Sequence, residues 1–276
     1  MKVKLLLIFF IFNTINLHAQ DKKTFFVGLN IGAKFANKHY ATRYTGAYQN
    51  ELPLVFDNPQ IHQNIYELLG NKDFAFYEYN ENYRYSPAIN YGVLLGYSVS
   101  PNLQASIDAN FSQLKVKTSY NLEVFDPVNQ TTQEQYSTGY IIGEEGRFNG
   151  KFNLDYISDG DKAKFIIGAQ GLFSAWRMEQ LLVELNNEQW LYNLYSVHDP
   201  SNNFTKKTSG SGWGYGINLG FEYRLNDKFV GQFMYQPYFS RVEYFTTKSQ
   251  IEAAGSAYIK PKRRLEHDLT LRILWK

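Results

Sequence analysis

Leu265-Glu266-His267-Asp268-Leu269-Thr270-Leu271-Arg272-Ile273-Leu274-Trp275-Lys276 closes the chain. Leu265, His267, Leu269, Leu271, Ile273 and Trp275 share one face of a strand, because side chains alternate sides with a period of two. Glu266, Asp268, Thr270 and Arg272 share the other. A strand this long, with an apolar face, a charged face and an aromatic residue at its end, predicts a wall element of a transmembrane β-barrel.

The same alternation recurs upstream. Phe25, Val27, Leu29, Ile31 and Ala33 oppose Phe26, Gly28, Asn30, Gly32 and Lys34. Ile89 to Val99, Leu103 to Phe111, Phe148 to Tyr156, and Phe165 to Phe173 repeat the pattern. It is cleanest from Trp213 to Leu225, where Trp213, Tyr215, Ile217, Leu219, Phe221 and Tyr223 alternate with Gly214, Gly216, Asn218, Gly220, Glu222 and Arg224. Phe229 to Phe239 is the seventh strand and the C-terminal one the eighth.

Three connections are short and made of turn formers: Ser100-Pro101-Asn102, Ser158-Asp159-Gly160-Asp161 and Asn226-Asp227-Lys228. The other four are long, spanning 36–85, 126–146, 186–212 and 244–264. Short turns at one end and long loops at the other predict an all-β, eight-stranded antiparallel up-and-down barrel with periplasmic turns and long extracellular loops. An eight-stranded barrel has an interior that side chains can fill, so the Gly, Asn, Gln and charged face belongs inside. The aromatic and aliphatic face belongs against lipid. Two aromatic girdles follow, with Phe25, Tyr97, Tyr156, Phe165, Tyr223, Phe229 and Trp275 at the periplasmic level. Phe35, Phe148, Phe173, Trp213 and Phe239 form the outer one. A soluble lipocalin-like barrel would put the aromatic face inward around a ligand, and the Gly-rich faces and one-sided short turns argue against it.

Composition agrees with this placement. Aromatic residues make up 17% of the 276, with 22 Tyr and 21 Phe, yet no run approaches a membrane-spanning helix. Met1-Lys2-Val3-Lys4 followed by the apolar run Leu5 to Phe12 predicts a signal peptide over residues 1–19, with 20–276 forming the barrel domain. The chain has no cysteine, which removes lipoprotein anchoring, disulfides and thiolate chemistry, and a net charge of +2 argues against nucleic acid as a partner.

The inward faces carry Lys34, Asp108, Arg147, Lys151, Asp155, Glu222, Arg224, Glu266, Asp268 and Arg272. Counting from the turns places Asp108 beside Lys151, and closure of the first strand on the last brings Lys34 to Glu266 or Asp268. These charges read as a paired plug, because unpaired charges at membrane depth are costly; an ion or proton path is the competing reading. His267 is predicted on the lipid side near the outer leaflet. A lipid-modifying triad would need a serine beside it and a carboxylate behind it, and the neighbouring strands offer no outward serine at that height. His39, His62 and His198 lack metal-ligand spacing, and Gly214-x-Gly216 sits inside a strand rather than in a phosphate loop, so no metal or cofactor is expected.

The first long connection is too extended to be idle. Within it Asn58, Pro59 and Gly70 predict a short helix with Asn58 as N-cap and Gly70 as terminator, and Ile61, Ile65, Leu68 and Leu69 on one face. Tyr77, Tyr79, Tyr83 and Tyr85 here, with Trp190, Tyr192 and Tyr195 in the third connection, form the expected contact surface; packing of the loops on one another as a cap is the alternative.

The signal peptide, the eight alternating strands and the terminal Leu269-x-Leu271-x-Ile273-x-Trp275 resemble the small outer-membrane β-barrel families of OmpA/OmpX type. Lys276 after the terminal aromatic departs from the pattern of their insertion signal. The resemblance implies a multi-pass protein of the Gram-negative outer membrane, in contact with membrane lipid and lipopolysaccharide and without an open pore. The expected function is a non-enzymatic surface interaction or scaffold module, with a protein partner at its extracellular loops, as a subunit of a secretion or uptake complex or alone. A lipid A-modifying enzyme and a narrow pore are the alternatives.

Overall fold

The computed structural model describes residues 24–44, 52, 56–80, 83–126, 135–191, 209–241, 243–244 and 262–275. The predicted signal peptide, Tyr192, Tyr195 and His198 lie outside the described residues. In chain order the elements are β1 (Phe25–Phe35), a 3-10 turn (Lys38–Tyr44), α1 (Pro59–Leu68), β2 (Asp73–Tyr79), β3 (Ala88–Ser100), β4 (Leu103–Phe125) and β5 (Gln135–Ile157). After them come β6 (Ala163–Leu185), β7 (Glu188–Leu191), β8 (Ser209–Arg224), β9 (Phe229–Ser240), β10 (Glu243–Tyr244) and β11 (Arg264–Trp275).

Eight of these strands close into one antiparallel ring, β1-β3-β4-β5-β6-β8-β9-β11 and back to β1. Closure runs from Val27 opposite Trp275 to Phe35 opposite His267, so the C-terminal stretch pairs along its length. The three short turns are held by their own side chains. Asn226 Oδ1 accepts from the backbone N–H groups of Lys228 and Phe229, Ser158 Oγ accepts from Phe165, and Asn102 donates to the Ile157 carbonyl and to Asp159. Hydroxyl and amide side chains at these positions compete well for turn backbone, which is why the strands stop there.

Between the turns and the outer girdle the ring exposes its apolar face. Leu29, Ile31, Ile89, Val93, Ile107, Phe152, Ile217, Phe221, Phe233, Leu271 and Ile273 all point outward. Such a belt in water would far exceed the apolar patch a soluble monomer carries. With every strand paired on both sides and no open edge in the belt, the ring satisfies its backbone internally, which the interior of a bilayer demands.

Three neighbouring strands do not stop at the outer girdle. β4, β5 and β6 each run for 23 residues and rise well past the rest of the ring. The stretch 126–146 is therefore mostly strand rather than the connection its composition suggests. The polarity of the alternation inverts as these strands leave the belt. Asp108, Asn110 and Ser112 point inward below, while Leu114, Val116, Tyr120 and Leu122 point inward above, with Lys115, Lys117 and Ser119 outward. Lipid outside and polar filling inside give way to water outside and an apolar core inside.

That second core is covered by the first extracellular connection. β2 adds to the free side of β4, and the 3-10 turn and α1 pack across the concave face. Tyr40, Ala41, Tyr44, Phe56, Ile65 and Phe74 meet Leu114, Val116, Tyr120, Leu122, Ile141, Trp176, Met178 and Val183 there. α1 begins as predicted: Asn58 Oδ1 accepts from the N–H groups of Gln60 and Ile61, and Gly70 ends the turn with a positive φ of 74°. Ile65 is fully buried, with Ile61 and Leu69 packed beside it. Tyr44 lies flat over Gly143 of β5, where any Cβ would overlap the ring; the glycine permits this close approach.

Candidate functional site: the filled lumen and the extracellular cap

Inside the belt the polar faces of all eight strands meet. The charges there are connected from the outer mouth downward. Tyr44 and Tyr85 both donate to Glu145 at 2.9 Å, and Glu145 in turn pairs with Arg147. Arg147 reaches Glu266 at 2.6 Å, and Lys34 lies between Glu266 (3.8 Å) and Asp268 (3.9 Å) while donating to Tyr238. Asp268 accepts from Lys151 at 2.7 Å, and Lys151 also donates to Gln236. Gln236 passes the chain of bonds to Asn218, Asn218 to Asp155, and Arg272 joins Asp155 (3.9 Å) to Asp108 (2.7 Å).

These side chains are buried, so each charge is held by an opposite charge or a donor rather than by water. Below them Phe26, Leu94, Val230 and Leu274 pack into an apolar layer towards the turns. Phe26 lies on Gly96, which has no Cβ to displace it. The charged core, with apolar layers above and below, fills the lumen.

The inward charges expected from the sequence fall into two groups. Lys34, Asp108, Arg147, Lys151, Asp155, Glu266, Asp268 and Arg272 belong to this one network. Asp108 does sit opposite Lys151 in register, yet its ion pair is with Arg272 across the lumen. Convergence of side chains in a narrow ring decides partners that strand order alone does not. Glu222 is buried lower down and accepts from Gln232 at 2.9 Å. Arg224 is a correction: it is exposed at the β8–β9 turn, where it pairs with Asp227 at 2.8 Å. The alternation carries it past the end of the lumen. Sequence reasoning passed over Glu145, assigned to a connection, and Tyr238, which shares its face with Gln236 and Ser240.

The expected aromatic contact surface also divides. Tyr85 is buried and bonded to Glu145, so it is a structural residue of the mouth, contrary to expectation. Tyr83 and Trp190 are half-buried against the cap core. Tyr77 and Tyr79 are exposed, at 53% and 38%. Tyr77 reaches across β4 to Tyr136 of β5, with ring centroids 4.8 Å apart, and Tyr140 stands exposed on the same strand as Tyr136 with Lys117 over its ring at 3.9 Å. Tyr136 and Tyr140 were missed because their stretch reads as a loop. Their alternation with Gly139, Ile141 and Gly143 is the signal that could have found them.

His267 faces outward as predicted, and its Nδ1 is 2.9 Å from the Tyr235 hydroxyl, the two rings stacked at 5.8 Å. Ser240, the serine nearest in register, is buried and points inward. His39 in the 3-10 turn lies 3.4 Å from Arg264, and His62 stacks on Phe74. Among the described residues no group of three or more His, Asp or Glu is placed to hold a metal.

No protein-family model matches the chain, and no curated relative does. Among solved structures it is similar to Neisserial surface protein A (NspA), at 10% identity over 93% of this chain and 99% of that one, with a TM-score of 0.44. It is also similar to the outer membrane protein OprG from Pseudomonas aeruginosa, at 10% identity over 93% and 96%, with a TM-score of 0.36. The fold stands on the strand pairing described above.

Proposed function

We propose that this transmembrane barrel is an integral protein of the bacterial outer membrane that works without catalysing a reaction, its extracellular cap docking a protein partner. One observation carries the reading: the chain builds a second hydrophobic core above the belt, and does so to hold a sheet upright. A barrel that only had to span a membrane would not need it. The outward face of that sheet shows Tyr77, Tyr136 and Tyr140 beside Lys115 and Lys117, aromatic area with polar tips and charge, the composition of binding surfaces. A subunit role in a secretion or uptake complex is one form this function takes.

The filled lumen supports the reading against a pore, and the bonding of His267 to Tyr235 rather than to a serine supports it against a lipid-modifying enzyme. The test is a pull-down of tagged protein from its native membrane in mild detergent, for wild type and for the Tyr77→Ser/Tyr136→Ser variant. A stoichiometric companion lost from the variant is expected. Recovery of the chain alone, or a companion indifferent to the substitutions, contradicts the proposal. Steady single-channel conductance above leak in a planar bilayer would contradict the closed lumen.

A further inference from the structure

One stretch of the lipid-facing wall departs from the apolar pattern. On β8 and β9, beside the start of β11, the outer girdle is formed by Trp213, Tyr215 and Phe239. Arg263 stands one pleat above Leu265, exposed, and its guanidinium lies 5.3 Å over the Tyr215 ring. It therefore reaches across β9 to β8 along the outside of the wall, since Tyr215 pairs with Phe239 and Phe239 with Leu265. Lys262 precedes it, also exposed. This start of β11 is tethered: the Tyr40 hydroxyl donates to the carbonyls of Ser240 (2.7 Å) and Lys262 (3.3 Å). Below, on the same outward face, stands the Tyr235–His267 pair.

The cations on the opposite side of the rim are matched by carboxylates. Lys115 pairs with Glu144 at 2.6 Å, Lys117 lies 3.9 Å from Glu184, and Arg177 lies 3.9 Å from Glu179. Lys262 and Arg263 have no carboxylate partner among the described residues. At the girdle level such cations face the headgroup layer, where the available anion is phosphate, and a guanidinium binds phosphate through two parallel hydrogen bonds. Beneath them Tyr215, Phe239 and Leu265 offer an apolar floor for acyl chains, and the Tyr235–His267 pair offers a hydrogen-bonding edge for a hydroxyl or carbonyl of the headgroup.

We infer that Lys262, Arg263 and the Tyr235–His267 pair form a binding site for a phosphorylated lipid of the outer leaflet. The phosphate sits on the two cations and the acyl chains on the aromatic floor. The inference rests on the reading of the apolar belt as membrane-embedded.

Native mass spectrometry of the intact barrel in detergent tests it, with bis-phosphorylated lipid A and its phosphate-free counterpart as probes. Wild type should bind the phosphorylated probe about tenfold more tightly than the phosphate-free one, and Lys262→Ala/Arg263→Ala should lose about that factor. Lys115→Ala/Lys117→Ala, on the far side, should bind as wild type does. Equal binding of both probes, or undiminished binding by the Lys262/Arg263 variant, overturns the site. Displacement of the lipid by millimolar inorganic phosphate would assign the cations to free phosphate and overturn it as well. Failure of the membrane reading looks different: the wild type would then not insert into probe-free phospholipid vesicles at all. A heat-induced gel shift confirms that each variant is folded.

Discussion

Lys151 and Asp268 face each other with side chains fully buried and 2.7 Å between Nζ and Oδ2. Asp268→Asn keeps the shape and removes one charge, leaving Lys151 with Gln236 and the face of Tyr238. Lys151→Met removes the other, leaving Asp268 with Lys34 at 3.9 Å and the Tyr238 hydroxyl. Breaking a buried pair from one side costs roughly 3–5 kcal/mol, because a charge stays behind without its counterion. The remaining partners place each single variant near the lower end of that range. The double variant leaves neither charge behind, and Lys34 still has Glu266. It should lose little more than either single variant does, with a coupling energy of at least about 2 kcal/mol. Urea unfolding of the barrel in phospholipid vesicles, followed by tryptophan fluorescence, supplies the four stabilities. Single losses that add to within about 0.5 kcal/mol would refute the claim that the two charges are coupled across the lumen.

Gly143→Ala places a methyl group where Tyr44 lies, and Tyr44 is tied to Glu145, so the cap should lose about 1–3 kcal/mol; limited proteolysis should nick it while the heat-induced gel shift of the barrel persists. Asn58→Ala removes the acceptor for Gln60 and Ile61 and should cost α1 about 1 kcal/mol, seen as faster amide exchange in 60–68 with β8 and β9 unchanged. Burial, and then the cations Arg264 and Lys262, hold the His39 imidazole below its ordinary value of 6.5. Because the folded value is depressed, the stabilisation is present above the unfolded value and is lost as pH falls from there towards the folded one. Amide protection at the 3-10 turn, with the intrinsic base-catalysed exchange rate divided out at each pH, should therefore fall on acidification below about 6.5, and His39→Gln should flatten that dependence.

The ring was legible because lipid on one side and a packed polar lumen on the other impose the same period-two pattern, apolar face outward, on all eight strands. Trp213 to Tyr223 and Leu269 to Trp275 announce both the strands and the face each one buries. Asn58, Pro59 and Gly70 marked α1 because capping is local chemistry, settled within a few residues. The cap sheet was hidden by its own change of polarity. Leu114-Lys115-Val116-Lys117 alternates as strictly as the belt does, but with the apolar residues on the inner face, so a search for one outward apolar stripe ends at Phe111. The partners of Asp108 and Lys151 were not legible either, since they come from β11 across the lumen rather than from the adjacent strand. Arg224 was misplaced because alternation gives the side of a strand and not the height at which the lumen ends.

The account depends on the belt facing lipid with the cap outside and the short turns inside, and the absence of native cysteine lets single introduced cysteines report on each level. Thr138→Cys on the cap, Ile217→Cys in the belt and Asp227→Cys at the β8–β9 turn would be challenged on whole cells with a membrane-impermeant maleimide. The account predicts labelling of the cap in intact cells, of the turn only after the outer membrane is permeabilised, and of the belt in neither condition. Labelling of Ile217→Cys from water, or of Asp227→Cys in intact cells, would contradict it.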